Sequence, residues 1–195
     1  MGATGELRFD CGRPCLDLVA TRTGSPPLDR LDGPPRLREW VEGAALLPRG
    51  AAQDVGQDWL PAFTALRATV ENLLAAQLRG DPPAAADLDA LNAAARAAPV
   101  APTAVRQDDG TLARSLASPP TCEALLAVIA RDAVDLLTDP VARARLRACE
   151  GENCTLVYLD TSRGRRRRWC SSEVCGNRER VARHRRRASP QPARS

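Results

Sequence analysis

The sequence predicts a mainly α fold with one small β-hairpin, an α+β body over residues 1–140, followed by a small C-terminal module over residues 141–187 that combines a hairpin with a basic helix. Three observations carry this. The 195 residues include 34 alanines and only 3% aromatics, so a core has to be built from Leu, Val and Ala on helices rather than from an aromatic-rich sandwich. Apolar residues recur at helical spacing through the body. Four cysteines fall at regular intervals after residue 148, beside a dense run of arginines.

The first fifty residues are punctuated by Gly24-Ser25-Pro26-Pro27 and Gly33-Pro34-Pro35, which break regular structure. Between them and the N-terminus, Cys15-Leu16-Asp17-Leu18-Val19-Ala20-Thr21 is too short for its periodicity to choose helix or strand. A short helix is expected around Leu37 to Leu47. The strongest helix runs from Asp58 to Arg79, with Leu60, Phe63, Leu66, Val70, Leu73, Leu74 and Leu78 on its stripe, Asp58 as cap and Gly80 as stop. A weaker one spans Ala84 to Ala98. Val100–Arg106 and Thr111–Leu116 flank Asp108-Asp109-Gly110, a hairpin signal. Thr121 caps a second strong helix through Leu137, and Asp139-Pro140 restarts helix in the segment Val141 to Ala148. The tail 188–195 reads as disordered.

Charge divides the chain. Residues 141–195 hold 15 Arg and 5 acids, whereas residues 1–140 hold 13 Arg and 19 acids, and no Lys occurs anywhere. A basic end on an acidic body suits a polyanion, nucleic acid first. No apolar run approaches a bilayer-spanning length and no signal-peptide pattern opens the sequence, so a cytoplasmic, nucleoid-associated protein without membrane contact is expected.

Cys149 and Cys154 enclose four residues, as do Cys170 and Cys175, and fifteen residues separate the pairs. Two short Cys loops joined by a linker of this length suit a tetrahedral thiolate site, and four thiolates make a closed structural site, with one Zn²⁺ the expected metal. An iron–sulfur cluster or a redox-labile dithiol pair are the other readings. Strand-like Thr155–Leu159 and turn-like Ser162-Arg163-Gly164 place a hairpin within the linker. Metal should supply most of the folding energy of so short and charged a stretch. Cys11, Cys15 and Cys122 read as small buried hydrophobes.

After Cys175 comes an Arg-rich stretch with no breaker beyond Gly176. At helical spacing Arg180, Arg183, His184 and Arg187 share one face, while Val181 is placed to pack on the metal module. Arg163, Arg165, Arg166, Arg167 and Arg168 in the linker are expected to grip phosphates. Trp169 is expected to form the module's miniature core.

Cys149-x4-Cys154, Tyr158-Leu159-Asp160-Thr161-Ser162-Arg163, Arg168-Trp169-Cys170-Ser171 and Cys175-Gly176-Asn177-Arg178 together resemble the bacterial CGNR zinc-finger family. The resemblance implies that Cys149, Cys154, Cys170 and Cys175 hold zinc, that the module binds DNA, and that Asn177 and Arg178 are signature positions. Upstream, Cys15–Thr21, Leu66-Arg67 and Leu88-x2-Leu91-Asn92 are similar to the ABATE domain, a region associated with stress-induced transcription regulators. Ala20 stands where Asn is expected and Ser172 where Met often follows.

The leading function is a DNA-binding transcription regulator, with double-stranded DNA as partner, a homodimer formed by the body, and a small-molecule effector sensed there. Asp17, Thr21 and Arg67 are the candidate ligand pocket; the alternative is that such an Asp caps a turn and such an Arg forms an ion pair. An RNA- or ribosome-associated protein and a thiol-based redox switch are the competing functions. No enzymatic activity is expected, since the single His lies in the basic stretch and no nucleophile or phosphate-loop motif occurs.

Overall fold

A computed structural model describes residues 5–48 and 50–188, with side chains up to residue 185. The expected tail beyond residue 188 lies outside the described residues, as does the Arg187 side chain. The body opens with helix α1 (Pro14–Val19), a two-residue ladder of β1 (Arg22–Thr23) with β2 (Leu28–Asp29), and α2 (Pro34–Gly43). Pro34 and Pro35 therefore begin a helix rather than break one. Their fixed φ suits the first helical positions, where no N–H is required.

Helix α3 (Leu60–Arg79) is the longest and follows a 3-10 turn at Gln57–Trp59. Gly80 terminates it at φ +75, as expected, in the left-handed region that glycine reaches without cost. Asp58 does not cap it: the 3-10 turn places Trp59 at that position. Helix α4 (Ala85–Ala95) buries only Leu91 fully. Strands β3 (Pro102–Arg106) and β4 (Leu112–Leu116) pair antiparallel around the Asp-Gly turn, and every β3 residue is exposed. Helix α5 (Cys122–Thr138) starts at Thr121, whose Oγ1 accepts the Ala124 N–H at 3.2 Å.

The core lies where α1, α3 and α5 pack together and α4 joins α3 and α5. Trp40 and Phe63, both fully buried, meet edge to face at 6.1 Å. Asp139 caps α6 (Pro140–Arg143) through the Val141 N–H at 2.8 Å. The helix stops after one turn. Residues Leu146–Ala148 instead form strand β5, paired with β6 (Val157–Leu159) in register Leu146↔Leu159 and Ala148↔Val157. The hairpin thus spans the first Cys pair and is not contained in the linker, because the Cys149–Cys154 loop is itself the turn between the strands.

The C-terminal module does not stand apart. Leu159 donates its N–H to the Cys11 carbonyl at 2.9 Å, and Gly24 N–H reaches Thr155 Oγ1 at 3.1 Å. Leu146, Leu156, Tyr158 and three of the four late cysteines are buried in the same apolar cluster as the body's helices. Helix α7 (Cys175–Ala188) closes the described chain.

Candidate metal centre and nucleic-acid interface

The sulfurs of Cys149, Cys154, Cys170 and Cys175 all lie within 4.8 Å of one another. Cys154 and Cys170 sulfurs are 3.9 Å apart, and Cys170 and Cys175 sulfurs 3.6 Å. Tetrahedral thiolates about 2.3 Å from a shared zinc would be separated by about 3.8 Å, so the donor set fits that ion. Backbone N–H groups complete the cradle: Gly151 and Cys170 donate to Cys149 Sγ at 3.4 and 3.3 Å. Hydrogen bonds from the Cys154 and Cys170 thiols, with these N–H groups behind them, lower the Cys149 thiol and favour its thiolate. A Cβ at Gly151 would lie 3.1 Å from the Cys175 sulfur and 3.4 Å from the Cys149 sulfur, so any larger residue there presses on two ligands.

Each ligand is held by local structure. Cys149 follows β5 directly, and Cys154 ends the turn with its N–H on the Gly151 carbonyl. Ser171 Oγ accepts the N–H groups of Glu173 and Val174, both at 3.2 Å, turning the chain so that Cys175 becomes the first residue of α7. A hydrogen-bond donor from outside the module's own sequence also joins this network: Arg8 Nη1 donates to Cys170 Sγ at 3.3 Å.

The arginine loop hangs from Asp160. This fully buried carboxylate accepts the N–H of Ser162 at 2.9 Å and of Arg167 at 3.1 Å, and the Ser162 bond leads in holding its pKa low. Arg163, Arg165 and Arg166 between these anchors are exposed. Arg167 is turned inward. Its guanidinium lies 4.5 Å over the Tyr158 ring and bonds the carbonyls of Trp169 and Cys170, while Tyr158 Oη donates to the Arg167 carbonyl at 2.7 Å. Arg168 pairs with Glu150 and lies over Trp169 at 5.3 Å.

Residues 12–140 match the family model of ABATE, described as "Putative stress-induced transcription regulator", over more than half of the chain. The chain belongs to the ABATE family. Residues 145–188 match the model of the CGNR zinc finger. No curated protein matches the chain. The protein is thus a zinc-binding member of the ABATE family, its one structural zinc held by the four clustered cysteines. No helix among the described residues is long and apolar enough to cross a membrane.

Within the CGNR finger, Asn177, Arg178, Arg180, Arg183 and His184 are all exposed on α7, and Arg180 also bonds the Ser172 carbonyl at 3.3 Å. His184 lies outside the cysteine cluster. Trp169 is half-buried against the core as expected, but the larger fully buried ring is Tyr158. Val181 does not pack on the module. It is 43% exposed, because among the described side chains of α7 only Cys175 and Gly176, where the helix leaves the finger, are buried.

In the ABATE body, Arg67 and Thr21 come together and Asp17 is bound elsewhere. Arg67 is 4% exposed and its Nη1 donates to Thr21 Oγ1 at 2.8 Å and to Asp29 Oδ1 at 2.7 Å, with Nη2 on the second Asp29 oxygen. This bidentate pair occupies the guanidinium that could otherwise take an anion. Asp17 accepts the Cys11 N–H at 3.0 Å, and burial pushes its carboxyl up to about 6. Cys11 and Cys15 are buried with raised thiol pKa values, burial being the leading cause, and Cys122 is half-buried and raised to about 11. Sequence reasoning missed Asp29 and Arg8, since nothing local marks a partner many residues distant.

Proposed function

We infer that this ABATE protein is a DNA-binding transcription regulator, not an enzyme, whose CGNR finger holds an Arg-rich helix and an adjoining arginine loop against duplex DNA. One observation carries this reading: the fourth ligand, Cys175, is the first residue of α7, so zinc binding anchors the basic helix at its root. Arg180, Arg183 and His184 are exposed beyond that anchor, and Arg163, Arg165 and Arg166 project from the loop that Asp160 holds. The helix is suited to base edges and the loop to phosphates. A finger of this size reads few base pairs, so the ABATE body is assigned the task of pairing two copies over two half-sites.

The test is fluorescence anisotropy of the zinc-loaded protein on a duplex from its own upstream region, on scrambled duplex and on structured RNA, across a salt series. The expected result is a preference for the native duplex that persists at high salt, and its loss in the combined Arg180→Gln, Arg183→Gln, Arg187→Gln variant with zinc retained. Equal, steeply salt-dependent binding to all three polyanions would favour the RNA-associated reading instead.

A further inference from the structure

Residues 5–11 lie ahead of the ABATE domain, which begins at residue 12. They form neither helix nor strand, and they are tied to the body and to the finger at once. On the body side Leu7 is buried, the Phe9 ring fills the space that a Cβ on Gly43 would take, and Arg36 bonds the Gly5 carbonyl. On the finger side the Cys11 carbonyl accepts the Leu159 N–H at 2.9 Å.

Between these ties Arg8 reaches the metal centre. Its side chain is only 24% exposed. Nη1 donates to Cys170 Sγ at 3.3 Å and Nη2 to the Cys170 carbonyl at 3.2 Å. One edge of the guanidinium is forked onto Asp10, with Nε on Oδ1 at 2.9 Å and Nη2 on Oδ2 at 2.6 Å. These bonds fix the plane of the group, so a carboxylate, a guanidinium and a ligand sulfur form one chain of contacts. Gly151 and Cys170 serve the Cys149 sulfur with backbone N–H groups, whereas Arg8 brings a full positive charge to Cys170.

That charge matters to the site. Four thiolates on one zinc leave an excess of negative charge in a largely buried place, where it has to be hydrogen-bonded or paired. A donor behind a ligand fixes its orientation, and losing such an outer partner costs about 10–100-fold in metal affinity. Charge-assisted bonds are the stronger class.

We propose that Arg8, aimed by Asp10, is a positioning residue of the zinc centre, holding the Cys170 sulfur so that metal retention by the CGNR finger depends on the segment ahead of the ABATE domain. The site is thereby completed from the other end of the chain, 162 residues away. Coupling of this kind is reciprocal, so metal also tightens residues 5–11 onto the finger. The inference rests on the zinc centre and not on DNA binding, so the regulator reading fails or stands separately.

The test uses the full-length protein and two readouts. Zinc affinity is measured by competition with a chromophoric chelator, and Co²⁺ in place of zinc reports on the sulfurs through its thiolate-to-metal charge-transfer band. Arg8→Met should weaken zinc about tenfold and move the band to longer wavelength, because a sulfur freed of its N–H bond gives up electron density more easily. Arg8→Lys keeps the charge without the fork and should recover part of both effects. Asp10→Asn, at a 54% exposed position that folding tolerates, should move both readouts in the direction of Arg8→Met by a smaller amount. Arg36→Met loosens the segment at Gly5 without touching the finger, and should leave both at wild-type values. Unchanged affinity in Arg8→Met, or neither readout moving in Asp10→Asn, would overturn the proposal. So would a loss of affinity that Arg36→Met shares and that leaves the band in place, which is what packing alone would give.

Discussion

Asp17 shows how a single buried carboxylate makes stability depend on pH. It is 6% exposed, its side chain accepts the Cys11 N–H, and burial raises its folded pKa to about 6, above the ordinary carboxylate value. The folded protein therefore holds a proton that the unfolded chain releases. Its stabilising contribution is complete below about pH 4 and is lost as pH rises to about 6, a change of about 3 kcal/mol. Asp17→Asn keeps the acceptor and removes the charge. Urea unfolding should show the variant more stable than wild type near pH 7, with the difference vanishing near pH 4; a difference that stays constant with pH would refute the assignment. Arg67, by contrast, reads from sequence either as part of a ligand pocket or as half of an ion pair; the ion pair is what forms, and its partner Asp29 is 38 residues away. Nothing in the residues around Arg67 announces that pairing.

At the scale of elements, two devices in the finger have different work. The cysteine loops hold metal, while Asp160 fastens both ends of the arginine loop through the N–H groups of Ser162 and Arg167. Asp160→Ala should leave the four sulfurs in place and free the loop. Hydrogen exchange at Ser162 and Arg167 should accelerate, zinc content should stay at one equivalent, and DNA affinity should fall severalfold as loop ordering is lost. Unchanged exchange at those two amides would mean that the turn holds itself. The Cys spacing and the Asp-Gly hairpin were legible because each depends on a few adjacent residues. Strand β5 was not, since Leu146–Ala148 becomes a strand only by pairing with Val157–Leu159.

For the whole molecule, the shared core decides how it unfolds. The charge asymmetry alone suggests an acidic body with a separable basic appendage. Instead Leu146, Leu156 and Tyr158 are buried with the helices of the body, and Leu159 bonds Cys11. Removing zinc, by chelator or by Cys175→Ser, should therefore weaken the body as well as the finger. Thermal melting followed by helical circular dichroism should remain one transition, lowered by about 10 °C for a loss of about 3 kcal/mol. A body midpoint that does not move would show the two parts to be independent.

The sequence by itself determined the mainly helical body, its helix starts at Thr121 and Asp139, its stop at Gly80, and the four ligands of the metal site. Each follows from short-range chemistry: a capping oxygen three residues or fewer from its N–H, a glycine at positive φ, two cysteines across a tight loop. Only the tertiary structure decided which arginines are free. Arg67 is spent on Asp29, Arg167 on Tyr158 and the carbonyls beside it, and Arg168 on Glu150, while Arg163, Arg165 and Arg166 stay exposed. A long guanidinium takes whichever partner the fold brings within reach, and that partner is set by packing between distant segments rather than by its neighbours in the chain.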